Sequence, residues 1–155
     1  MEEYNFNDTW KVWYHSIKDN SWDNNSYINV IDIKNIYDYC IFKENIGKNA
    51  LQKCMFFIMR NNIFPTWEDV HNKDGYCISY KIYNKTLIRD FYSILIELLN
   101  ERITLNYSLI NGISISPKKE FNIIKIWLKE DIPLYQISQI NNSFSKSKCI
   151  VKKNN

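Results

Sequence analysis

Two of the five tryptophans stand where a core residue has little to gain. Trp67 follows Pro65 in the stretch FPTWEDVHNKDGY, residues 64–76, with the carboxylates of Glu68 and Asp69 beside it. Trp22 lies in KDNSWDNNS, among Asp, Asn and Ser. Pro65 biases Phe64 away from helix and has no amide donor of its own, which predicts irregular chain around Trp67. Most tryptophans are core, and Trp10 and Trp13, inside an alternating pattern, fit that role. A large ring held among turn residues loses much of its burial unless something stacks on it. The pairing of Trp67 with Glu68 therefore has two readings: a structural ring with acidic neighbours, or a stacking face beside a carboxylate that can accept hydrogen bonds from a ligand.

Other chemistry is thinly represented. The three glycines, Gly47, Gly75 and Gly112, cannot compose a phosphate-cradling or dinucleotide fingerprint. Neither His15 nor His71 has a nucleophile at motif spacing, and no G-x-S-x-G elbow occurs. Cys40, Cys54, Cys77 and Cys149 are scattered without a CxxC pair, so zinc spacing is absent and free thiols are expected. These observations predict a non-enzymatic chain without a cofactor. The net charge of +3 is mild, but Lys118, Lys119, Lys125, Lys129, Lys146, Lys148, Lys152 and Lys153 crowd the last quarter. That crowding is either a solvated surface or part of an anion site.

The elements that would position these residues follow from periodicity. Residues 9–17 alternate as an aromatic strand, and 27–31 form a second short strand. From Asp32, read as an N-cap, apolar residues recur at Ile33, Ile36, Tyr37, Cys40 and Ile41, which predicts an amphipathic helix. Strands are expected over 53–60 and 76–83 with a long loop between them, then a helix over 87–101. A hairpin formed by SLINGISIS and FNIIKIWLK around the turn PKKE, a short helix near 132–140 and a basic end strand KCIVKK complete the chain. Strands paired mostly in order with helices between them predict one α+β domain over 1–155. Its sheet is mainly antiparallel, with helices on one face and the concave face left for a ligand. The apolar runs fall far short of the roughly 20 residues that cross a bilayer. The polar start MEEYNFND lacks the features of a secretory signal, so a cytoplasmic chain is expected. The Asn-, Ile- and Lys-rich composition fits an AT-rich coding genome.

From about Tyr4 to Trp127 the sequence resembles the eukaryotic translation initiation factor 4E family, proteins that bind the 7-methylguanosine cap of messenger RNA. WKVWYHSIKDNSW resembles the family's opening strand and first cap loop, NIFPTWEDVHNKDG its second cap loop, and NGISISPKKEFNIIKIW its final cap-side hairpin. The resemblance implies a curved antiparallel sheet with helices on the convex side. It implies that Trp22 and Trp67 sandwich the cationic base by cation–π stacking. Glu68 would accept hydrogen bonds from the guanine N1–H and 2-amino group, a pattern adenine does not offer. Trp127 would wall the methyl group, and Asp69 would brace the loop.

The triphosphate of the cap needs fixed cations. By the same resemblance Lys118 falls on the family's first basic position, whereas the second is Ile123, a departure for which Lys119 or Lys125 could substitute. Lys146 and Lys148, in the loop NNSFSKSK, are further candidates for the phosphates or the first transcribed nucleotide. On the dorsal face the resemblance implies a partner helix from a 4G-like scaffold or a 4E-binding protein, meeting Ile33 and Tyr37 on the first helix and Tyr92 and Ile96 on the second. A compact monomer is implied, shorter than cellular members, of the kind a large DNA virus or an AT-rich protist would encode. Two alternatives stay open: a cap-binding repressor or decoy, and a protein-interaction module of the same fold without cap binding.

Overall fold

The computed structural model describes residues 4–154. Residues 1–3 and 155 lie outside that description, and with them part of the polar start on which the expectation of a cytoplasmic chain rests. Alternation of inward and outward side chains produces seven strands: β1 (Asn5–Ser16), β2 (Ile28–Asn35), β3 (Cys54–Arg60), β4 (Tyr76–Tyr83), β5 (Ile110–Pro117), β6 (Phe121–Leu128) and β7 (Cys149–Lys153). They form one curved sheet in the order β2-β1-β3-β5-β6-β4-β7, with every neighbouring pair antiparallel. Three α-helices accompany it: α1 (Ile36–Asn45), α2 (Lys48–Lys53) and α3 (Leu87–Leu99). The α+β architecture expected from the sequence is what the chain adopts.

The two faces of the sheet are chemically distinct because successive strand residues point opposite ways. One face carries Val12, Ile33, Phe56, Ile58, Ile78, Tyr80, Ile113, Ile124 and Ile126, all buried against Phe42 of α1, Leu51 of α2 and Phe91, Leu95 and Leu98 of α3. This is the main core. The other face holds a smaller cluster, Phe57, Met59, Ile63, Cys77 and Trp127, with Trp13, Tyr27 and Met55 packed against it. Two glycines permit close approach here. A Cβ on Gly75 would lie 2.0 Å from the Leu128 carbonyl oxygen, and one on Gly112 would lie 2.4 Å from that of Ile58. Arg60 ties the elements together. Its guanidinium lies 4.5 Å over the Trp10 ring, pairs with Asp8 at 2.5 Å and Glu101 at 2.6 Å, and donates to the Ile110 carbonyl at 2.9 Å.

Several boundaries differ from expectation. The first helix starts at Ile36, not after Asp32, because β2 runs through Asn35. Ile31 and Ile33 pair with Val12 and Trp10 of β1, and the side chain of Asn35 caps the helix by accepting the Asp38 amide at 3.0 Å. Ile33 is thus the last inward residue of a strand, and its spacing to Ile36 only imitates a helical period. The short α2 was not foreseen, since one buried residue, Leu51, leaves no periodic trace. Residues 132–140 form an extended strap with a single 3-10 turn, Leu134–Gln136, not a helix. Ile132 and Ile137 anchor the strap in the core, and the Ser138 amide donates to the Ile103 carbonyl at 2.8 Å.

Candidate ligand-binding slot

The loop between β3 and β4 is held by its own polar side chains. Asp69 accepts the amide of Phe64 at 3.1 Å and that of His71 at 2.8 Å. Burial alone would raise the Asp69 carboxyl, but hydrogen bonds from the His71 amide and ring and from the Phe64 amide, with the charge of His71, hold it below its ordinary value. Asn72, fully buried, donates to the carbonyls of Phe64 at 3.1 Å and Thr66 at 2.8 Å and accepts from Asn111 at 3.0 Å. The residues on either side of Pro65 are therefore fixed from below, which sets Trp67 on the rim with 50% of its surface exposed.

Trp22 reaches the same opening from the loop after β1. Its indole lies flat on the buried His15 ring, with centroids 4.0 Å apart and planes 4° from parallel. The His15 ring nitrogens lie 2.9 Å from the Ser16 carbonyl oxygen and 2.7 Å from that of Ser21, so the ring spans the two ends of the short segment leading to Trp22. One indole face is covered by this stack, yet Trp22 stays 54% exposed. Tyr27 packs edge-on against His15, Phe57 and Phe64, joining the two loops to the sheet.

Between them is a cavity of about 200 Å³ lined by Trp22, Trp67, Glu68 and Trp127, with Tyr27 and Phe57 among its apolar walls and Ser114, Ser116 and Lys125 on its β5 and β6 side. Trp127 is only 7% exposed, and its indole N–H donates to Ser114 Oγ at 3.0 Å. Glu68 is exposed and makes no hydrogen bond or ion pair among the described residues. Its charge, after burial, contributes to raising the Tyr27 phenol, which puts the carboxylate near that wall. Larger hollows exist, of about 400 Å³ beside Arg60 and about 490 Å³ beside Ser93, but no Trp, Tyr or Phe lines either. A ligand suited to the slot is flat, stacks on indole and offers donors to a carboxylate.

The sequence-predicted residues divide into those brought together and those kept apart. Trp22, Trp67, Glu68, Trp127 and Lys125 share the slot. Lys118 and Lys119 are exposed at the β5–β6 turn, and Lys146 and Lys148 on the 3-10 turn before β7; none of the four lines it. Ile123 pairs with Lys81 of β4, whose ammonium lies 4.3 Å over the Phe121 ring. Lys152 and Lys153, which the sequence showed only as members of the late lysine crowd, line a neighbouring cavity with Trp67, Lys125 and Trp127. The pairing of β7 with β4, Lys152 opposite Cys77 and Lys153 opposite Tyr76, brings them there, and cross-strand pairing leaves no local signal. Cys77, at that cavity's floor, has a thiol pushed up to about 11, chiefly by burial, which leaves it a poor nucleophile.

On the opposite face the assignment of Ile33 to a partner surface fails, because it is 0% exposed within β2. Tyr92 is also buried, its hydroxyl donating to the Ile46 carbonyl. Tyr37 and Ile41 are exposed on α1. Ile88 and Ile96 of α3 edge a groove of about 320 Å³ that also includes Tyr39, Lys43 and a margin of Tyr92. Among the described residues no cluster of His, Cys, Asp and Glu could hold a metal ion, and no helix is long and apolar enough to cross a membrane.

Residues 5–154 match the family described as "Eukaryotic initiation factor 4E". No curated protein sequence matches the chain. Among solved structures, the chain is similar to the Ascaris suum eIF4E-3 in complex with m7G cap, with a TM-score of 0.76 at 14% identity, covering 86% of this chain and 78% of that one. The Caenorhabditis elegans eIF4E-3, solved with the 4E-binding protein Mextli and a cap analog, gives a TM-score of 0.75 at 17% identity, covering 83% and 76%. At such identities the likeness concerns the fold.

Proposed function

This chain belongs to the eukaryotic initiation factor 4E family, and from that membership we propose that it is a non-catalytic protein that binds the 7-methylguanosine 5′ cap of messenger RNA in translation initiation, in the cytoplasm. The observation that carries the reading is the convergence of two half-exposed indoles, Trp22 and Trp67, on one slot with a carboxylate that has no hydrogen-bond partner among the described residues, Glu68. N7-methylation makes guanine cationic, so its face is attracted to the electron-rich indoles. Stacking of this kind contributes about 1 to 3 kcal/mol per base. Glu68 reads the N1–H and 2-amino edge, and Trp127, nearly buried at the inner wall, meets the methyl group. The cap complex described for the Ascaris suum protein supports the ligand class. Lys118, Lys119, Lys125, Lys146 and Lys148 are the proposed cations for phosphates and RNA, with Lys125 alone of the five lining the slot.

The reading includes a partner on the dorsal face, an amphipathic helix from a 4G-like scaffold or a 4E-binding protein. The C. elegans neighbour, solved with such a binding protein, supports the class of partner. The proposed surface is Tyr37, Ile41, Ile88 and Ile96. On α1, Tyr37 and Ile41 are four residues apart, one turn of the helix, and both are exposed.

Quenching of tryptophan fluorescence tests the cap reading. 7-Methyl-GTP quenches at a concentration at least tenfold below that needed for GTP, reflecting the attraction of a cationic base to two indoles. Equal, weak quenching by both would reject cap recognition and leave the interaction-module reading standing.

A further inference from the structure

Directly behind the Trp22 wall of the slot stands a titratable ring, His15. It follows Trp13 by two residues on β1, so strand alternation sets both on the slot face. It is 0% exposed, and Trp22 lies flat on it. Both ring nitrogens face carbonyl oxygens, Nδ1 that of Ser16 at 2.9 Å and Nε2 that of Ser21 at 2.7 Å. A carbonyl oxygen only accepts. A neutral imidazole carries one N–H and one lone pair, so it can donate to one of these oxygens and must turn its lone pair toward the other. The imidazolium form donates to both.

A buried charge needs partners of this kind, and carboxylates stand close by. Asp19 accepts the Ser21 amide at 2.8 Å, and Asp23 accepts the Ser21 hydroxyl at 3.0 Å, each one residue removed from the Nε2 contact. Tyr27 meets the ring edge-on, Met55 is the β3 partner of His15, and the charge of Glu68 reaches Tyr27 from the other loop. Lys18 and Lys53, the lysines adjoining this corner of the sheet, are exposed. Residues 17–22 are all exposed as well, so no core packing holds the segment that carries Trp22. His15 is the buried side chain that joins its two ends.

We propose that His15 is a positioning residue for the slot: its imidazolium form bridges the Ser16 and Ser21 carbonyls and sets the plane of Trp22, so that recognition of the stacked base strengthens as pH falls. The inference rests on the proposed stacking of the base between Trp22 and Trp67 and adds a pH dependence to it. Histidine is the side chain that changes charge between about pH 5 and 8. Once the ring is neutral, one carbonyl opposes a bare nitrogen, the exposed segment shifts, and Trp22 leaves the orientation that faces Trp67. A cation behind Trp22 also repels a cationic base on the open face, but from about twice the stacking distance and beside two carboxylates. The carbonyl contacts are direct, and they set the sign.

The test measures 7-methyl-GTP affinity for the full chain and for His15→Phe, which keeps a flat ring under Trp22 and removes both donors, at about pH 5.5 and about pH 8. Titration of the ligand is common to both chains, so the ratio of their affinities reports His15. The wild type is expected to bind about tenfold more tightly than the variant at the lower pH, as loss of hydrogen bonds from a charged donor requires, and about twofold more tightly at the higher. Nitrogen-15 NMR of the unliganded wild type, which needs no variant to fold, should show both His15 ring nitrogens protonated at the lower pH and one bare at the higher. Fluorine NMR of tryptophan-labelled chain, with Trp22→Phe assigning the signal, should show the Trp22 resonance moving with pH in the wild type and not in His15→Phe. An affinity ratio that does not change with pH, or a bare His15 nitrogen at both values, overturns the proposal and leaves His15 a structural ring. If the wild-type chain fails to prefer 7-methyl-GTP over GTP, the base reading falls. A pH-dependent Trp22 signal abolished by His15→Phe would then still support the clamp, and a Trp22 signal indifferent to pH would remove it too.

Discussion

Trp67, Glu68 and Asp69 are adjacent in sequence, yet the fold gives each a different environment. Trp67 stands on the rim, Glu68 lines the slot without a hydrogen-bond partner among the described residues, and Asp69 is turned inward to the amides of Phe64 and His71. Glu68→Ala removes the one acidic acceptor in the slot while leaving both indoles. Two charge-assisted hydrogen bonds contribute about 1.5 to 3 kcal/mol each, so the variant should lose at least tenfold in affinity for 7-methyl-GTP and bind 7-methyl-ITP, which lacks the 2-amino group, about as well as 7-methyl-GTP. Competition titration decides it, and retained preference for the 2-amino ligand would move edge recognition away from Glu68. These residues were legible because the signal is local: Pro65, Trp67, Glu68 and Asp69 fall within five positions. Lys152 was illegible for the opposite reason. Its relation to Trp127 runs through two strand pairings, and nothing within the basic end segment distinguishes it from Lys146 or Lys148.

At the scale of the element, the loop 61–75 acts as a preformed rigid wall because buried amides, not apolar packing alone, hold it. Asn72→Ala strips support from the Phe64 and Thr66 carbonyls and leaves Asn111 without its acceptor on Asn72. Unsatisfied buried groups cost about 1 to 3 kcal/mol. The variant should therefore unfold at lower urea and bind 7-methyl-GTP several-fold more weakly, with Trp67 emission shifted toward the red. Unchanged emission and affinity would show that the loop needs no such support. Asp69 adds a pH dependence. Its folded value is depressed below the ordinary 3.8, so its stabilisation is present above that value and is lost as pH falls through the lower folded one. The thermal midpoint of the wild type should drop in this acid window, while Asp69→Asn begins lower and loses less; parallel curves would exclude Asp69 as the source. Periodicity identified the strands and α3, whose apolar stripe is long. It misplaced the start of α1, since Ile33 of a strand and Ile36 of a helix are spaced like one helical face. It missed α2 and turned the strap at 132–140 into a helix because two anchoring isoleucines, Ile132 and Ile137, suggest a repeat that the backbone does not follow.

Across the whole molecule, the sheet is a partition. The slot and the lysine cavity open on one face, the groove beside α1 and α3 on the other, and the main core fills the space between sheet and helices. The strand order, with β4 inserted between β6 and β7, could not be read from the sequence, because it depends on which edges meet after long connections. This layering makes the dorsal assignment separable from both stability and ligand binding. Ile41→Asp and Ile88→Asp place charge on exposed parts of α1 and α3, where surface changes alter stability by about 0.5 kcal/mol or less. Capture of an amphipathic 4E-binding helix should fall at least tenfold in each, while the 7-methyl-GTP affinity stays within about twofold, as expected for sites without shared contacts. Ile33→Ala should behave in the reverse manner. A fully buried isoleucine cut to alanine costs about 2 to 5 kcal/mol, so it lowers the unfolding midpoint, and the folded fraction retains helix capture. The two measurements are a pull-down with the helix peptide and urea unfolding of each variant. Helix capture that survives both aspartate substitutions would remove the partner from this groove. A specific loss of capture in a fully folded Ile33→Ala chain would return the partner surface to the residue that the sequence alone had suggested.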